Sequence, residues 1–271
     1  MGIYAVTGSA SGMGKASADK LRAEGHTVIG IDLRDADVLA DLSTADGRAA
    51  AADAVIAASG GRLDGAVLAA GLGPVPGREA LIAQVNFKGA TELLGALRES
   101  LAAAGNSKVV IFGSNSATTI PGIPDAVVNA FLDDKLETLP ELLAPFGEHG
   151  AAFAYGGSKL ALSRWLRRTA VLPEWAGAGI RLNAIAPGAI LTPLLQSQLD
   201  GPGRAAIEAF PVPIGGFGDP DAIASWITFM LPPAGVLPHQ QQQRAEQGRP
   251  EHAVNNDFGG RVGVPSGLGG V

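Results

Sequence analysis

Tyr155 and Lys159 are the residues of this sequence whose types and spacing most directly suggest chemistry. They lie four residues apart in a segment of helical character, so they share one face of a helix. A tyrosine phenol has a pKa near ~10 and is a poor base at neutral pH, but an ammonium group one turn away favours the phenolate and lowers that pKa. Such a tyrosine could pass a proton to or from an alcohol oxygen. Taken alone, the same pair is also what an ordinary helix surface presents.

A glycine-rich turn separates the first apolar segment, Ile3–Thr7, from a helical segment. Its glycines suit a tight turn, a close approach of the backbone to a pyrophosphate and close packing of helix on strand, and the helix N–H groups would face the phosphates. In this strand–turn–helix context the pattern predicts a dinucleotide site, although an ordinary glycine turn is the alternative. The residues predicted to bind cofactor here are Thr7, Gly8, Ser11, Gly12, Met13 and Gly14.

The second apolar segment, Thr27–Leu33, carries an acidic residue near its end. Asp32 lies 18 residues after the last glycine of the turn, where a carboxylate can accept hydrogen bonds from the adenosine ribose and would repel a 2′-phosphate. This favours NAD over NADP. Arg34 is a counter-signal, because an arginine can pair with a 2′-phosphate, but we prefer to interpret it as a solvated surface charge. Asp41 and Leu42 could border the adenine, with Asp41 accepting from its amino group or serving only as a loop acid.

Strands and helices alternate along most of the chain. Strands are predicted at Ile3–Thr7, Thr27–Leu33, Gly65–Ala70, Lys108–Phe112 and Ile180–Ile185. Helices are predicted at Met13–Glu24, Ala45–Ser59, Glu79–Ala104, Phe153–Val171 and Asp219–Met230. This alternation predicts an α/β fold of βαβ units with one parallel sheet, and the near-continuous apolar strands are typical of a sheet with helices on both faces.

The composition argues against several classes of function. The 271 residues carry a net charge of −6, which disfavours a partner such as a nucleic acid or an anionic membrane surface. The chain has no cysteine, which excludes disulfides and thiolate chemistry and fits a reducing compartment. Its four histidines show no metal-ligand spacing, and we predict no metal site. No apolar run is long enough for a membrane helix and no signal peptide is visible, so we predict a cytoplasmic protein.

Taken together, these residues resemble the short-chain dehydrogenase/reductase family. The positions that match the family in identity and in order are Thr7–Gly14, Asp32, Asn86, Ser114, Tyr155, Lys159, Pro187 and Gly188. The resemblance covers about residues 1–230. It implies one Rossmann-type domain, doubly wound around seven parallel strands, that binds NAD(P) and exchanges hydride with an alcohol/ketone pair.

The resemblance also implies a role for each catalytic residue. Tyr155 would be the general acid/base, and Lys159 would lower its pKa and hold the nicotinamide ribose. Ser114 would hydrogen-bond the substrate oxygen, with Ser116 as the competing choice. Asn86 would bend its helix and hold a water that relays protons to Lys159, unless it is simply a buried asparagine bonded to backbone.

Further cofactor contacts follow from the same resemblance. Ala69-Ala70-Gly71 stands where the family usually has Asn-Ala-Gly, so the backbone can still approach the adenosine but the asparagine side chain is missing. The segment from Pro187 to Thr192 resembles the one that fixes the nicotinamide carboxamide. The cofactor contacts that the family resemblance implies in these two segments are Ala70, Gly71, Pro187, Gly188, the Ile190 backbone and the Thr192 hydroxyl.

Two segments depart from the family pattern. Ser114 and Tyr155 are 41 residues apart, farther than in most members, so we expect an insertion at about residues 117–150 with a short helix near Asp125–Leu139. A similar insertion occurs in the bacterial 3α-hydroxysteroid dehydrogenase/carbonyl reductases, a subset of the family. Members often dimerise through helices flanking this region, and we therefore expect a homodimer built on another surface. Residues 231–271 change composition and are predicted to form an atypical, disordered tail.

The segment Leu194–Ile214 follows the nicotinamide loop and is rich in apolar residues. Such a lid suits a bulky apolar secondary alcohol or ketone, or it simply packs a loop on the core. The sequence therefore predicts an NAD-dependent oxidoreductase, and the preference for a hydroxysteroid rests mostly on the resemblance. The alternative is a catalytically idle Rossmann protein that binds nucleotide for regulation or assembly.

Overall fold

The computed structural model describes residues 1–201, 204–208, 212 and 215–231. The predicted lid is therefore described in part, and the predicted tail at residues 231–271 lies outside the described residues except for Leu231. Within the described ranges, the chain forms one sheet flanked by helices.

Six strands of the described residues form a parallel sheet in the order β3-β2-β1-β4-β5-β6. They are β1 (Ile3–Thr7), β2 (Thr27–Asp32), β3 (Val38–Leu39), β4 (Gly65–Leu68), β5 (Ser107–Phe112) and β6 (Ile180–Ile185). All five predicted strands are present, and each ends within two residues of its predicted limits. The two-residue β3 was not predicted, and the seventh strand that the family implies is not among the described residues.

The helices lie between these strands. They are α1 (Gly12–Ala23), α2 (Ala45–Ser59), α3 (Glu79–Ala83), α4 (Gly89–Ala96), α5 (Arg98–Ala102), α6 (Ser116–Thr119), α7 (Asp125–Leu132), α8 (Leu139–Leu143), α9 (Gly150–Thr169), α10 (Pro193–Leu199), α11 (Arg204–Glu208) and α12 (Pro220–Met230). Shorter helical turns occur at Gln84–Lys88, Leu136–Thr138 and Ala144–His149. None of the helices in the described ranges combines the length and the apolar character needed to cross a membrane.

Helices cover both faces of the sheet because neighbouring strand residues point to opposite sides. In β4, Ala66 and Leu68 join a buried cluster that includes residues of α2, α4 and α9. Val67, between them, joins a second cluster with residues of α1 and α12. This arrangement confirms the predicted Rossmann-type, doubly wound fold.

The strand order reverses between β1 and β4. β1 pairs with β2 on one side and with β4 on the other, while the chain runs outward to β3 before it returns to β4. In open α/β sheets, ligands bind outside the carboxyl ends of the strands at such a reversal. The residues that follow β1 and β4, from Gly8 and from Ala69, therefore lie where a ligand is expected.

The long helix predicted over Glu79–Ala104 is interrupted. α3 passes into a π-helical turn at Gln84–Lys88, then into α4, and Leu97 separates α4 from α5. At the π-turn the Asn86 side chain exchanges two hydrogen bonds with the backbone of Leu72, a long-range contact that helical periodicity cannot report.

The expected insertion between β5 and α9 is a compact set of short helices. Val127 and Phe131 of α7 are buried and pack on α9. A Cβ on Gly157 of α9 would lie 2.8 Å from Val127 Cγ1, and one on Gly156 would lie 2.8 Å from Ile120 Cδ1. Two glycines thus let the insertion approach the helix that carries Tyr155. The predicted short helix near Asp125–Leu139 is present but stops at Leu132.

Candidate active site

The glycine-rich turn after β1 accepts only glycine at several positions. A Cβ on Gly14 would overlap the carbonyl oxygen of Gly8, and one on Gly8 would lie 2.9 Å from the Ala70 nitrogen. Gly8 and Gly12 also have φ values of 69° and 54°, which L side chains rarely adopt. The turn therefore brings the backbone and the N-terminus of α1 close to the end of β4, as a phosphate-binding turn requires.

A cleft of about 430 Å³ opens beside this turn. The predicted cofactor residues that line it are Gly8, Ser11, Gly12, Met13, Gly14, Asp32, Asp41, Leu42, Ala70, Gly71 and Thr192. Its walls come from the segments after β1, β2, β3 and β4, from α3 and the helical turn that follows it, and from the start of α10. The glycine-rich turn, an acidic residue at the end of β2 and the apolar walls fit a dinucleotide cofactor.

Asp32 is fixed at the end of β2 by two backbone donors. Its Oδ2 accepts from the Ala10 nitrogen at 3.0 Å, and its Oδ1 accepts from the Leu33 nitrogen at 2.7 Å. The carboxylate lines the cleft, whereas Arg34 is exposed and does not. Negative charge therefore faces the place predicted for the adenosine ribose.

Asp41 and Leu42 lie at the same end of the cleft. The Asp41 carboxylate accepts from the Ser43 nitrogen at 2.9 Å, and hydrogen bonds from Ser43 lower the Asp41 pKa. Leu42 is 6% exposed, and its carbonyl accepts from Arg48 Nη1 at 3.0 Å. Leu42 is thus an immobilised apolar wall, while the Asp41 carboxylate is already engaged within its own loop.

Thr7 lies behind the turn rather than in the cleft. It is 2% exposed, and its hydroxyl accepts from the nitrogens of Ala69 and Ala70 at 3.0 Å each. Thr7 thus holds the end of β4 against the end of β1, and its contact with a cofactor stays a prediction.

The segment after β6 reaches the cleft at Thr192. The Pro187 carbonyl accepts from the Asn115 nitrogen at 3.0 Å, and Ile190 forms a bridge with Gly218. The Thr192 hydroxyl caps α10 by accepting from the Leu195 nitrogen at 3.3 Å, and a Cβ on Gly12 would lie 3.3 Å from the Thr192 methyl carbon. Of the predicted contacts in this segment, Thr192 lines the cleft, and Pro187, Gly188 and Ile190 do not.

Tyr155 belongs to a cluster of three hydroxyl groups. Burial raises the pKa of the Tyr155 phenol, and hydrogen bonds with Ser114 and Ser116 oppose that rise in part. Ser114 Oγ also accepts from Ser116 Oγ at 2.8 Å. The structure thus brings both serine candidates to the tyrosine, and it differs from the expectation of a lowered tyrosine pKa because burial dominates.

Lys159 is buried beneath the cleft, one helical turn from Tyr155. It is 5% exposed, and its Nζ donates to the Phe112 carbonyl at 2.8 Å. Burial lowers the Lys159 pKa to about 8. A Cβ on Gly71, which lines the cleft, would lie 3.8 Å from Nζ, so the amine is next to the cleft floor.

Asn86 is buried in the π-turn, with 1% of its surface exposed. Its Oδ1 accepts from the Leu72 nitrogen at 2.7 Å, and its Nδ2 donates to the Leu72 carbonyl at 3.0 Å. The side chain therefore supports the loop that carries Gly71. This is the backbone-bonded arrangement that the sequence left open, and the water relay stays a prediction.

Several residues that line the cleft were not predicted to do so. They are Leu33, Ala40, Ser43, Ala69, Leu72, Arg78, Leu81, Val85 and Pro193. Leu194, which also lines the cleft, belongs to the predicted lid. Leu33, Ala69 and Leu72 follow the ends of β2 and β4, so their place in the chain is a usable signal. Arg78, Leu81 and Val85 reach the cleft through the tertiary packing of α3 and the π-turn, which the sequence pattern does not reveal.

Comparison with known proteins identifies the family. A profile described as "NAD dependent epimerase/dehydratase family" matches residues 4–182, and one described as "Enoyl-(Acyl carrier protein) reductase" matches residues 143–236. The 3-alpha-hydroxysteroid dehydrogenase/carbonyl reductase of Comamonas testosteroni is 38% identical over 243 residues, which are 89% of this chain and 94% of that protein. The chain belongs to the short-chain dehydrogenase/reductase family. It is accordingly an oxidoreductase that uses a nicotinamide cofactor.

Two further relatives of this short-chain dehydrogenase/reductase agree with that assignment. The 3-alpha-hydroxysteroid dehydrogenase of Pseudomonas sp. B-0831, solved in complex with NADH, superposes with a TM-score of 0.78 at 42% identity and covers 85% of this chain and 90% of its own. The D-threitol dehydrogenase of Mycolicibacterium smegmatis is 29% identical and covers 87% of each chain. The resemblance inferred from the sequence motifs is confirmed.

Proposed function

We propose that this protein is an NAD-dependent dehydrogenase/reductase for a bulky apolar secondary alcohol and its ketone, with hydroxysteroids as the substrate class. The observation that carries the proposal is the cluster of Tyr155, Ser114 and Ser116 hydroxyls. It lies one helical turn from the buried Lys159, whose amine is next to Gly71 of the cleft lining.

The protonation states of these residues suit proton exchange with a carbonyl oxygen. When bound, the cofactor supplies or accepts the hydride. Because burial raises its pKa, the Tyr155 phenol is protonated at neutral pH and can donate to a ketone oxygen held by Ser114. Alcohol oxidation needs the phenolate instead. Lys159, with a pKa of about 8, is mostly cationic at pH 7, and its charge favours that phenolate.

The preference for NAD is argued from Asp32. Its carboxylate lines the cleft and is held in place by two backbone N–H groups, so it cannot turn away from a 2′-phosphate without losing both hydrogen bonds. Arg34, the residue that could neutralise such a phosphate, does not line the cleft. The NADH complex of the Pseudomonas relative supports the same preference.

The substrate class is argued from the walls around the mouth of the cleft. Leu72, Leu81 and Leu194 line it, and Leu81 and Leu194 are 36% and 42% exposed, so they offer apolar surface to a ligand. A wall of this kind favours a hydrophobic ring system over a polyol. The names of the Comamonas and Pseudomonas relatives support a steroid.

The test is a coenzyme-absorbance assay with ketosteroids, small ketones and polyols, each with NADH or NADPH. We expect the ketosteroids with NADH to give the highest kcat/KM. Tyr155→Phe removes the proton donor and should lower kcat at least about a hundredfold, with coenzyme binding retained. Unchanged turnover in Tyr155→Phe would contradict the proposal, and a preference for NADPH would contradict the Asp32 argument.

A matched pair of variants separates the two serines in the same assay. Ser114→Ala should lower kcat by about a hundredfold, since one hydrogen bond that strengthens in the transition state is lost. Ser116→Ala should have a smaller effect, because Ser116 Oγ donates to Ser114 rather than to the substrate. The reverse order would transfer the proposed role to Ser116.

A further inference from the structure

A chain of ion pairs links the insertion to the cofactor cleft. Asp134, in the turn after α7, pairs with Lys88 Nζ, which lies 2.9 Å from Glu92 Oε1. The other oxygen of that carboxylate, Oε2, lies 2.7 Å from Arg48 Nε. An ion pair joins each residue to the next, so Asp134, Lys88, Glu92 and Arg48 form one continuous network.

Arg48 connects this network to one residue that lines the cleft and to the neighbour of another. It is 7% exposed, and its Nη1 donates to the Leu42 carbonyl at 3.0 Å and to Gln84 Oε1 at 3.3 Å. Leu42 lines the cleft, and Gln84 precedes Val85, which lines it as well. A buried guanidinium needs a carboxylate partner, and here that partner is Glu92.

The insertion supplies the far end of the network at a specialised position. Asp134 has a φ of 58°, a left-handed conformation that Asp and Asn tolerate better than most residues. Its partner Lys88 lies in the π-turn with only 13% of its side chain exposed. Burial lowers the Lys88 pKa, but hydrogen bonds with Asp134 and Glu92 more than compensate and leave it raised.

From this connectivity we infer that the insertion is a positioning element of the cofactor site: Asp134 orders Lys88 and Glu92, which hold Arg48. Arg48 in turn holds Leu42 of the cleft lining and Gln84, the neighbour of Val85. The inserted segment thus has a role in coenzyme affinity besides any effect on dimerisation. The inference rests on the cofactor site of the proposed function and is independent of the substrate.

The experiment measures the Kd of NADH by fluorescence titration of the full chain. Asp134→Asn keeps the shape and the tolerance for positive φ but removes the charge, and we expect a Kd about threefold higher with kcat at saturating coenzyme within about twofold of wild type. Asp133→Asn is the matched control, since Asp133 is exposed and pairs with no described residue. It should leave the Kd unchanged.

A double-mutant cycle tests whether Asp134 acts through Arg48. Arg48→Met should raise the Kd about tenfold, and adding Asp134→Asn to it should change nothing further, because the link is already cut. If Arg48→Met does not fold, Glu92→Gln serves the same cycle. Effects that multiply in the double variant would overturn the inference, and so would a Tm loss in Asp134→Asn without a change in Kd. Failure of every ketone as substrate would instead contradict the proposed function alone.

Discussion

Lys159 shows that the catalytic role proposed for a residue can be at odds with the stability of the fold. Its amine is buried and, among the described residues, donates one hydrogen bond, to the Phe112 carbonyl. Burial lowers its pKa to about 8 from an ordinary value of 10.5. The unfolded chain therefore holds the Lys159 proton more tightly than the folded chain does. A charged amine in this place is costly to the fold, and the role proposed for Lys159 in the reaction would account for that cost.

This difference gives a pH-dependent prediction for Lys159→Met. Between pH 8 and pH 10.5 the unfolded wild type binds more protons at this residue, so wild-type stability rises with pH in that window. The stability of Lys159→Met relative to wild type should consequently be highest at pH 7 and fall by about 2 kcal/mol by pH 9.5. Urea unfolding at several pH values measures this, with the exposed Lys135→Met as control. A difference that does not depend on pH would contradict the assigned pKa.

At the scale of elements, the junction of β1 and α1 needs glycine because the backbone is closely packed there. Not every helical glycine of the chain has such a neighbour. A Cβ on Gly14 would overlap the backbone of Gly8, whereas a Cβ on Gly95 of α4 would meet nothing within 4 Å. The two glycines are both helical, so they form a matched pair.

We predict opposite effects for Gly14→Ala and Gly95→Ala. Gly14→Ala should destabilise the protein by about 3 kcal/mol or more, because backbone must move, and should weaken NADH binding more than tenfold. Gly95→Ala should stabilise it by about 0.5–1 kcal/mol, since alanine is the better helix former. Thermal unfolding and NADH titration measure both quantities. Equal effects of the two changes would show that the close approach at Gly14 is unimportant.

Elements of the fold and of the site were predictable from the sequence where they depend on local pattern. One βαβ unit, β1-α1-β2, contains the strand that ends at Thr7, the glycines after it and Asp32. Their spacing along the chain was therefore enough to predict them. The π-turn at Asn86 was missed because its cause is a contact with Leu72, and β3 was missed because two residues give no periodic signal. The Arg48–Glu92 pair joins residues 44 positions apart, and no local pattern announces it.

At the scale of the whole molecule, the insertion covers one side of α9. Val127 and Phe131 are buried against it, so a second copy of the chain cannot use that side of the helix for an interface. The homodimer is predicted to form through another surface. In such a dimer the outer side of α7 stays exposed to solvent.

A charge placed on that outer side tests the arrangement. Asn129 is an exposed residue of α7, and Asn129→Arg should leave the native mass of the protein unchanged in light scattering coupled to size exclusion. Dissociation of a dimer by this change would place the interface on the insertion and contradict the prediction. Retained NADH binding in the variant would show that the fold is intact.

The π-turn at Gln84–Lys88 has a consequence for how this protein can change over generations. A π-turn holds one residue more than a regular helical turn. This extra residue sets the directions in which the side chains of Val85, Asn86 and Lys88 project from the helix. Point substitutions alter these side chains one at a time, but a single-codon deletion would straighten the helix and redirect all three together. We expect lineages that descend from this sequence to tolerate replacements here far more readily than losses.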